Sequence, residues 1–475
     1  MTYKQTNELP KISAQYLTEP LLCFGNGEQH IDPKFGIAQF GPFSYSPMKR
    51  HPDKVKVGFI GSAETIEKAK KWLESCADGV PGDEKHLEFP GFNRERGFYS
   101  ELLFDDDWIA QLNRNEVETV LNIKSQRDRF NAAVELLENK LKLLSDKDYS
   151  PEYIVVVLPD SFVKRCGVAD YRDSTLGKIH RDLRRAFKAV AMKYRIPTQL
   201  LKLATVDGRD KDHPTKKAWN LFTSLYFKAG GLPWGPVGLI SGTCYIGISF
   251  YRPLGSANST MQTSLVQAFD EYGNTLVLRG HDFVWDEEQE GTRSPHLTEE
   301  KATMLVDLVL ERYYQEMGNM PKRVVIHKTS RYWSAEKSGF EQALRKKFIS
   351  QYDLLALSRQ NIVKLITVTK YPPLRGTRFT VEDLDYLYTT GFIAELNQFH
   401  GMHVPSPLQI ADHIGYDTPR ETLLKEILIL TKMNWNSSRL GGLWPVTIRF
   451  SRLVGDIMRE IPADIEPLTN FKFYI

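Results

Sequence analysis

The sequence predicts an α/β protein in which a Rossmann-like sheet is followed by a second, mixed sheet with helices on its faces. Three observations carry that reading. Short β-branched runs alternate with helical patterns through the first half. A dense glycine and proline segment, Gly230-Gly231-Leu232-Pro233-Trp234-Gly235-Pro236, interrupts the middle, and beyond it several strand-like runs precede helices that alternate with further strands. At 475 residues the chain exceeds one ordinary core, so two regions are expected, residues 1–234 and 235–475.

In the first region, Val55–Ile60 (VKVGFI) ends in Gly61-Ser62 and gives way to a helical pattern over Ala63–Cys76. Glu118–Leu121 reads as a strand. Ser125–Leu144 reads as a helix, with Phe130, Ala133, Leu136, Leu137 and Leu141 on one face. Tyr153–Leu158 (YIVVVL), closed by Pro159-Asp160, suits a strand covered on both faces of a parallel sheet. In the second region, Cys244–Tyr251, Asn274–Arg279, Arg323–His327, Tyr352–Leu357 and Lys364–Thr369 read as strands. Thr298–Gln315 and Ala335–Phe348 read as helices.

Composition excludes several classes. Apolar residues are 41% and charged residues 25%, values of a folded globular chain. No apolar run approaches the roughly 20 residues that span a bilayer. The N-terminus lacks a secretory pattern, and Cys23, Cys76, Cys166 and Cys244 are widely spaced without C-x-x-C, which disfavours a disulfide framework and a cysteine zinc site. The expected location is a reducing cytoplasm. No hydrolase elbow, H-E-x-x-H or Walker lysine motif is present. Gly25-x-Gly27 lacks the third glycine of a dinucleotide fingerprint. His400-x-x-His403 has Gly401 between its histidines and no nearby acid, and Asp105-Asp106-Asp107 reads better as a helix start than as a metal site.

The net charge of +3 does not advertise a polyanion ligand, so any electrostatic footprint must come from local clustering: Lys178 to Lys202 contains eight lysines and arginines against one acid, Asp182, a run that by itself reads equally as a solvated helix face. Within it, Arg184 and Lys188 are one helical turn apart and leave the same face. Pro197 then ends the helix and turns the chain back, placing Gln199 where its amide can supply a neutral donor. Lys228 ends a helical stretch before Ala229-Gly230-Gly231, from which a flexible ammonium can reach the same anion.

Lys188, Gln199 in the Ile196-Pro197-Thr198-Gln199 segment and Lys228 in its K-A-G-G turn together resemble the guide 5′-phosphate pocket of the MID domain of Argonaute proteins. Arg184 falls at the position four before the first lysine; Lys193, Arg195 and Thr198 are neighbours. Cys244-Tyr245-Ile246-Gly247-Ile248, Arg323-Val324-Val325-Ile326-His327-Lys328 and Pro445-Val446-Thr447-Ile448-Arg449-Phe450 resemble the first strand, central strand and last helix of the family's RNase H-like PIWI domain. The motifs cover roughly residues 150–475, and residues 1–150 show only β-α character.

The resemblance implies a MID domain within 1–234 and a PIWI domain over 235–475, as in the short prokaryotic class of the family. Where cleaving members carry aspartates, this chain has Ser249 and Thr329, or less securely Ser330. Hydroxyls do not neutralise the two dications that in-line phosphoryl displacement requires, so no cleavage is expected. Asp270, Asp282, Asp286 and Asn436 lie where further catalytic acids would be sought, but do not replace the missing pair.

The class also implies a 5′-phosphorylated guide, RNA by preference, and a complementary single-stranded DNA target. It further implies a partner in which an APAZ region is joined to an effector, a sirtuin-like NADase ahead of a TIR NADase or a nuclease. Recognition of plasmid or phage nucleic acid would switch that partner on in prokaryotic defence by abortive infection. The aromatic tail Asn470–Ile475 is expected to dock, with the Ile475 carboxylate sharing a Mg2+ with the guide phosphate. Two other readings stay open on the residues alone: a nuclease using atypical acids, and a structural subunit that binds no nucleic acid.

Overall fold

The computed structural model describes residues 11–174, 177–254, 260–269, 275–280, 282–285, 294–359, 362–368, 370–399, 401, 403–416, 418–461 and 467–475. In the first half the principal elements are β1 (Ile12–Tyr16), β2 (Lys54–Gly61), α1 (Ala63–Ala77), β3 (Glu101–Leu103), β4 (Ile109–Gln111), α2 (Arg114–Asn122), α3 (Gln126–Ser145), β5 (Tyr153–Val157), α4 (Leu183–Ala191), β6 (Thr198–Leu200) and α5 (Pro214–Lys228). In the second half they are β7 (Thr243–Tyr251), β8 (Thr260–Phe269), β9 (Thr275–Leu278), β10 (Asp282–Val284), α6 (Glu299–Met317), β11 (Arg323–Lys328), α7 (Ser334–Lys346), β12 (Gln351–Arg359), β13 (Thr377–Val381), β14 (Leu384–Leu387), β15 (Leu408–Gly415), α8 (Arg420–Leu430) and α9 (Val446–Met458).

The first sheet is parallel, with order β6–β5–β2–β3 and β4 also paired to β2. β5 lies between β2 and β6 and is buried along its whole length, as its unbroken apolar run requires. The second sheet has ten strands in the order β1–β13–β14–β15–β12–β11–β7–β8–β9, with β10 added to β8. Its centre, β7–β11–β12, is parallel and its flanks are antiparallel. Helix α9 packs so closely on β7 that a Cβ at Gly247 would lie 2.1 Å from the Thr447 carbonyl oxygen, which accounts for glycine there. Helices α6 and α7 cover the other face, where Ile246, Ile326, Leu305 and Phe340 share one core.

The expected boundary at residue 234 lies in a segment bound to both halves. Gly235 pairs with Cys23, Phe43 N donates to Pro233 O, and Trp234 Nε1 donates to Lys432 O. Residues 12–16 belong to the second sheet as an edge strand.

Two expected strands are corrected. Glu118–Leu121 lies inside α2, which starts from a capping box: Asn113 accepts from the Glu116 N–H, and the Glu116 carboxylate accepts from the Asn113 N–H. The strands this part of the chain supplies are β3 and β4 instead. Residues 364–368 form no strand; Val363 and Leu365 pack against Phe379, Tyr386 and Tyr388, and the Leu365 N–H donates to the Tyr388 hydroxyl rather than to a ladder. Thr369, Asn274, Asp270, Asp286 and His400 lie outside the described residues, as does the side chain of Asp282. Asp105 caps a single 3-10 turn over Asp106–Trp108, the structural role its sequence suggested. Among the described residues no helix is long and apolar enough to cross a membrane.

Candidate anion-binding site

Asp182 starts α4 by accepting from the Arg185 N–H, and this sets the phase that turns Lys188 inward beside Phe187. The helix ends in a 3-10 turn, and Arg195 takes a left-handed conformation (φ 55°) before Pro197, so the chain reverses directly into β6. Thr198 and Gln199 thereby lie beside the inner face of α4. Helix α5 delivers Lys228 from its last turn.

The three segments meet at one carbonyl. Lys188 Nζ and Lys228 Nζ each donate to Thr198 O at 3.2 Å. Lys188 also donates to the carbonyl oxygen of Ile475, and Lys228 donates to Gln199 Oε1 at 2.6 Å. Gln199 therefore acts here as an acceptor, with its Nε2 donating to Leu200 O at 3.2 Å. The tail is held by Asn470, which accepts from the Lys472 N–H, and by Phe471, stacked 3.8 Å from Phe450; Ile475 itself is buried.

Lys188 and Lys228 are each 1% exposed. Among the described residues no acidic side chain forms an ion pair with either of them or with Arg184. Burial pushes Lys188 well below the ordinary lysine value, and the positive charges of Lys228 and Arg184 push it further. Lys228 is depressed in the same way, by burial and then by Arg184. Arg184 is lowered by its own burial, against the opposing pull of Asp182. Taking an ammonium out of water costs several kcal/mol unless it is paired; here the acceptors are the Thr198 carbonyl, the Gln199 amide oxygen and, for Lys188, an oxygen of the Ile475 terminal carboxylate, one negative charge against three cations. A doubly charged anion with several acceptor oxygens would compensate all three cations at once.

Of the residues expected from sequence, Arg184, Lys188, Gln199, Lys228, Ile475 and the Thr198 carbonyl are brought together. Lys193 is not: it points away and pairs with Glu138 at 2.9 Å. Exposed Arg195 serves the turn. Sequence reasoning missed Tyr153, whose ring lies 5.7 Å from Lys228 Nζ and whose buried hydroxyl has no hydrogen-bond partner among the described residues. It also missed Arg50, which lies beside Gly230 and depresses Lys472 after burial does. No local pattern marks either one; both arrive through the sheet and the tail.

The second set of expected positions lies at adjoining strand ends. The last β7–β11 pair is Gly247 with His327, and Ser249 and Thr329 each follow by two residues. His327 is buried, its Nδ1 lies 2.8 Å from Thr447 Oγ1, and burial pushes its imidazole down to about 3, so it is neutral. Asn436 is engaged with Ser224, 3.4 Å away. Asp412 sits across from Ala356, on the sheet face away from Ser249, and accepts from the Tyr332 N–H at 3.3 Å. Among the described residues, three potential metal-ligating side chains converge only at Asp83, His86 and His213.

No family model and no curated protein matches the sequence. Solved structures do match the fold. A structure of Clostridium butyricum Argonaute, bound to a guide DNA and a 19-mer target DNA, superposes with a TM-score of 0.68 at 18% identity, over 96% of this chain and 54% of that one. The A. aeolicus Argonaute matches with a TM-score of 0.58 at 15% identity, over 98% and 55% of the two chains. Drosophila Piwi matches at 0.59 and 13%, over 97% and 56%. The chain thus spans about half the length of these proteins, and its mixed α/β architecture is the Argonaute fold expected from the sequence.

Proposed function

We propose that this chain binds the 5′-phosphorylated end of a short guide strand and uses the guide to recognise a complementary strand without cutting it. The observation that carries the reading is the pair of buried ammoniums, Lys188 and Lys228, set on one carbonyl with Arg184 beside them and, among the described residues, no acidic side chain paired with them, so that the Ile475 terminus leaves most of the positive charge unmatched. A terminal phosphate supplies roughly −1.5 to −2 charges and three acceptor oxygens, which suits three converging donors. Fold likeness to proteins described with guide and target nucleic acids supports the same assignment.

In this reading residues 1–234 act as a MID-like region and 235–475 as a PIWI-like region. The guide is RNA and the target single-stranded DNA. Arg184, Lys188 and Lys228 neutralise the phosphate, and Gln199 turns its amide toward it. The oxygens of Ile475 and Gln199 fit a hard cation only in company with the phosphate, whose charge would offset the lysines; a Mg2+ held there would share the phosphate charge. Ser249 and Thr329 replace the carboxylates that a two-metal nuclease needs, which favours recognition over hydrolysis. The signal then passes to a cytoplasmic partner, an APAZ-containing effector with a sirtuin-like NADase favoured, in prokaryotic defence.

Lys188→Ala combined with Gln199→Ala tests the pocket directly. Affinity for a 5′-phosphorylated guide should fall about 100-fold, while a 5′-hydroxyl guide is little affected. Equal binding of both guides by wild type and variant would overturn the assignment. Incubating guide-loaded protein with labelled complementary DNA and RNA in Mg2+ or Mn2+ tests the second part, because a guide-directed product would make the protein a nuclease with atypical acids.

A further inference from the structure

Away from the lysine pocket, two segments far apart in the sequence place metal-ligating groups side by side. Residues 80–89 form a short hairpin, closed by the antiparallel Val80–Phe89 bridge and by a tight turn in which Asp83 N donates to His86 O at 3.0 Å. Gly82 is required there, since a Cβ would lie 2.3 Å from the His86 carbonyl oxygen. Trp219 of α5 donates to Glu88 O at 3.1 Å and fixes the hairpin against that helix. The hairpin tip therefore meets the start of α5, where His213 is the N-cap.

At the junction Asp83 Oδ1 accepts from the Lys85 and His86 N–H groups, and it lies 2.8 Å from His86 Nδ1. The other oxygen, Oδ2, lies 3.3 Å from His213 Nε2. The far nitrogen of His213, Nδ1, sits 2.8 Å from Thr215 Oγ1. Ligand atoms of all three residues lie within 4.8 Å of one another. In a tetrahedral zinc site, metal–ligand bonds of about 2.0–2.2 Å put neighbouring ligand atoms roughly 3.4 Å apart; the 3.3 Å between Asp83 Oδ2 and His213 Nε2 is close to that spacing, and the 2.8 Å between Asp83 Oδ1 and His86 Nδ1 is shorter.

We propose that Asp83, His86 and His213 form a Zn2+ site that ties the hairpin tip to the start of α5. Two imidazoles and one carboxylate are the donor set of zinc rather than of Mg2+ or Ca2+, which take oxygen ligands. His213 Nδ1 accepts from the Thr215 N–H as the helix cap, which fixes the ring, so Nε2 carries the proton and would release it on ligating the metal, while the backbone N–H groups on Asp83 Oδ1 leave Oδ2 to ligate. The two imidazoles lie face to face, 4.0 Å apart and 1° from parallel. Convergence on one ion therefore requires His86 to turn about its Cβ–Cγ bond. Its ring gives up the Nδ1 contact to Asp83 and the stacking on His213, whereas Thr215 holds His213 in place. Water fills the fourth position.

The site is independent of the guide-binding proposal, and its test is direct metal binding. The full chain, free of any polyhistidine tag and stripped of metal, is titrated with Zn2+ against a chromophoric chelator, and its thermal midpoint is followed in parallel. One equivalent should bind and raise the midpoint, and Co2+ should give the visible absorption of a tetrahedral ion. His86→Ala and Asp83→Asn should each weaken Zn2+ binding at least 100-fold, with the folded spectrum retained. His180→Ala removes a different exposed histidine, 2.8 Å from Asp170, and should leave binding unchanged. No stoichiometric Zn2+ in the wild type, or binding unaltered by His86→Ala, would overturn the proposal.

Discussion

The two sheets treat buried positive charge in opposite ways. At the second sheet, Arg323 on β11 pairs with Asp353 at 2.7 Å and Glu426 at 2.5 Å, and Lys328 pairs with Glu336 at 2.5 Å, which also lies 2.9 Å from His296 Nδ1. Glu426 and Asp353 raise Arg323 against the opposing effect of burial. At the first sheet, Lys188 and Lys228 are as deeply buried but have no acidic side chain as partner among the described residues, only the Thr198 and Gln199 oxygens and, for Lys188, the Ile475 terminus, and both are driven well below the ordinary lysine value. Charge that is already compensated holds structure together. Charge left largely uncompensated in the interior is tolerated at a cost in stability, and it is the place where an anionic ligand would gain most by binding.

The largest effect should come from breaking a compensated pair. Glu336→Ala leaves Lys328 buried without its carboxylate and also strips an acceptor from His296 and from the Leu297 and Trp333 N–H groups. The expected loss is about 3–5 kcal/mol in urea unfolding. Discrimination between phosphorylated and unphosphorylated guides, measured on the folded fraction, should not change. A loss of under 1 kcal/mol would show that this cluster is no more committed to structure than the lysine pocket.

Lys188→Met is the matching change at the first sheet, and its two readouts should move in opposite directions. Without guide the variant should be as stable as the wild type or more so, because a buried charge has been removed while the apolar stem remains. Binding of a phosphorylated guide should weaken by about 1.5–3 kcal/mol, roughly 10- to 150-fold. Destabilisation of the unliganded protein by several kcal/mol would make Lys188 a structural residue.

The same comparison reads out through pH. The folded lysines have depressed pKa values, while the unfolded chain's lie near about 10.4. As pH rises through that window the unfolded state holds more protons, so the stability of the unliganded protein should rise. A bound phosphate raises the lysine values, so binding takes up protons there and affinity should fall with rising pH. Below roughly pH 6 the phosphate loses its second charge and affinity should fall again. In Lys188→Met with Lys228→Met the alkaline limb should flatten, which calorimetric titration at several pH values would detect.

Much of this arrangement is legible in the sequence, and the gaps have physical causes. The YIVVV run gives β5, because only a strand covered on both faces tolerates five buried residues in succession. The i, i+4 spacing of Arg184 and Lys188 gives their common face. Lys228 is legible as the end of a helix before Gly230-Gly231, but its place in the same pocket comes from the resemblance, since nothing local says that the end of α5 meets β6. Glu118–Leu121 misleads as a strand because the signal that decides it, the Asn113–Glu116 capping box, lies upstream of the apolar residues. Tyr153, Arg50 and the Asp83–His86–His213 cluster depend on contacts between distant segments, which no window along the chain can reveal.

The smallest expected effect sharpens the comparison most. Lys193 follows Lys188 by five residues in the same basic run, yet it is surface-exposed and paired with Glu138, with side-chain exposures of 45% and 24%. Lys193→Ala should cost no more than about 0.5 kcal/mol in stability. It removes one positive charge from the general field, so guide binding should drop less than about two-fold, equally for phosphorylated and unphosphorylated guides, and the drop should shrink as salt screens it. A direct phosphate ligand behaves differently, because its loss changes the ratio between the two guides. If Lys193→Ala moved that ratio as far as Lys188→Met does, the diffuse charge of the run would be the recognition element, and burial without an acidic partner would have no special meaning at this site.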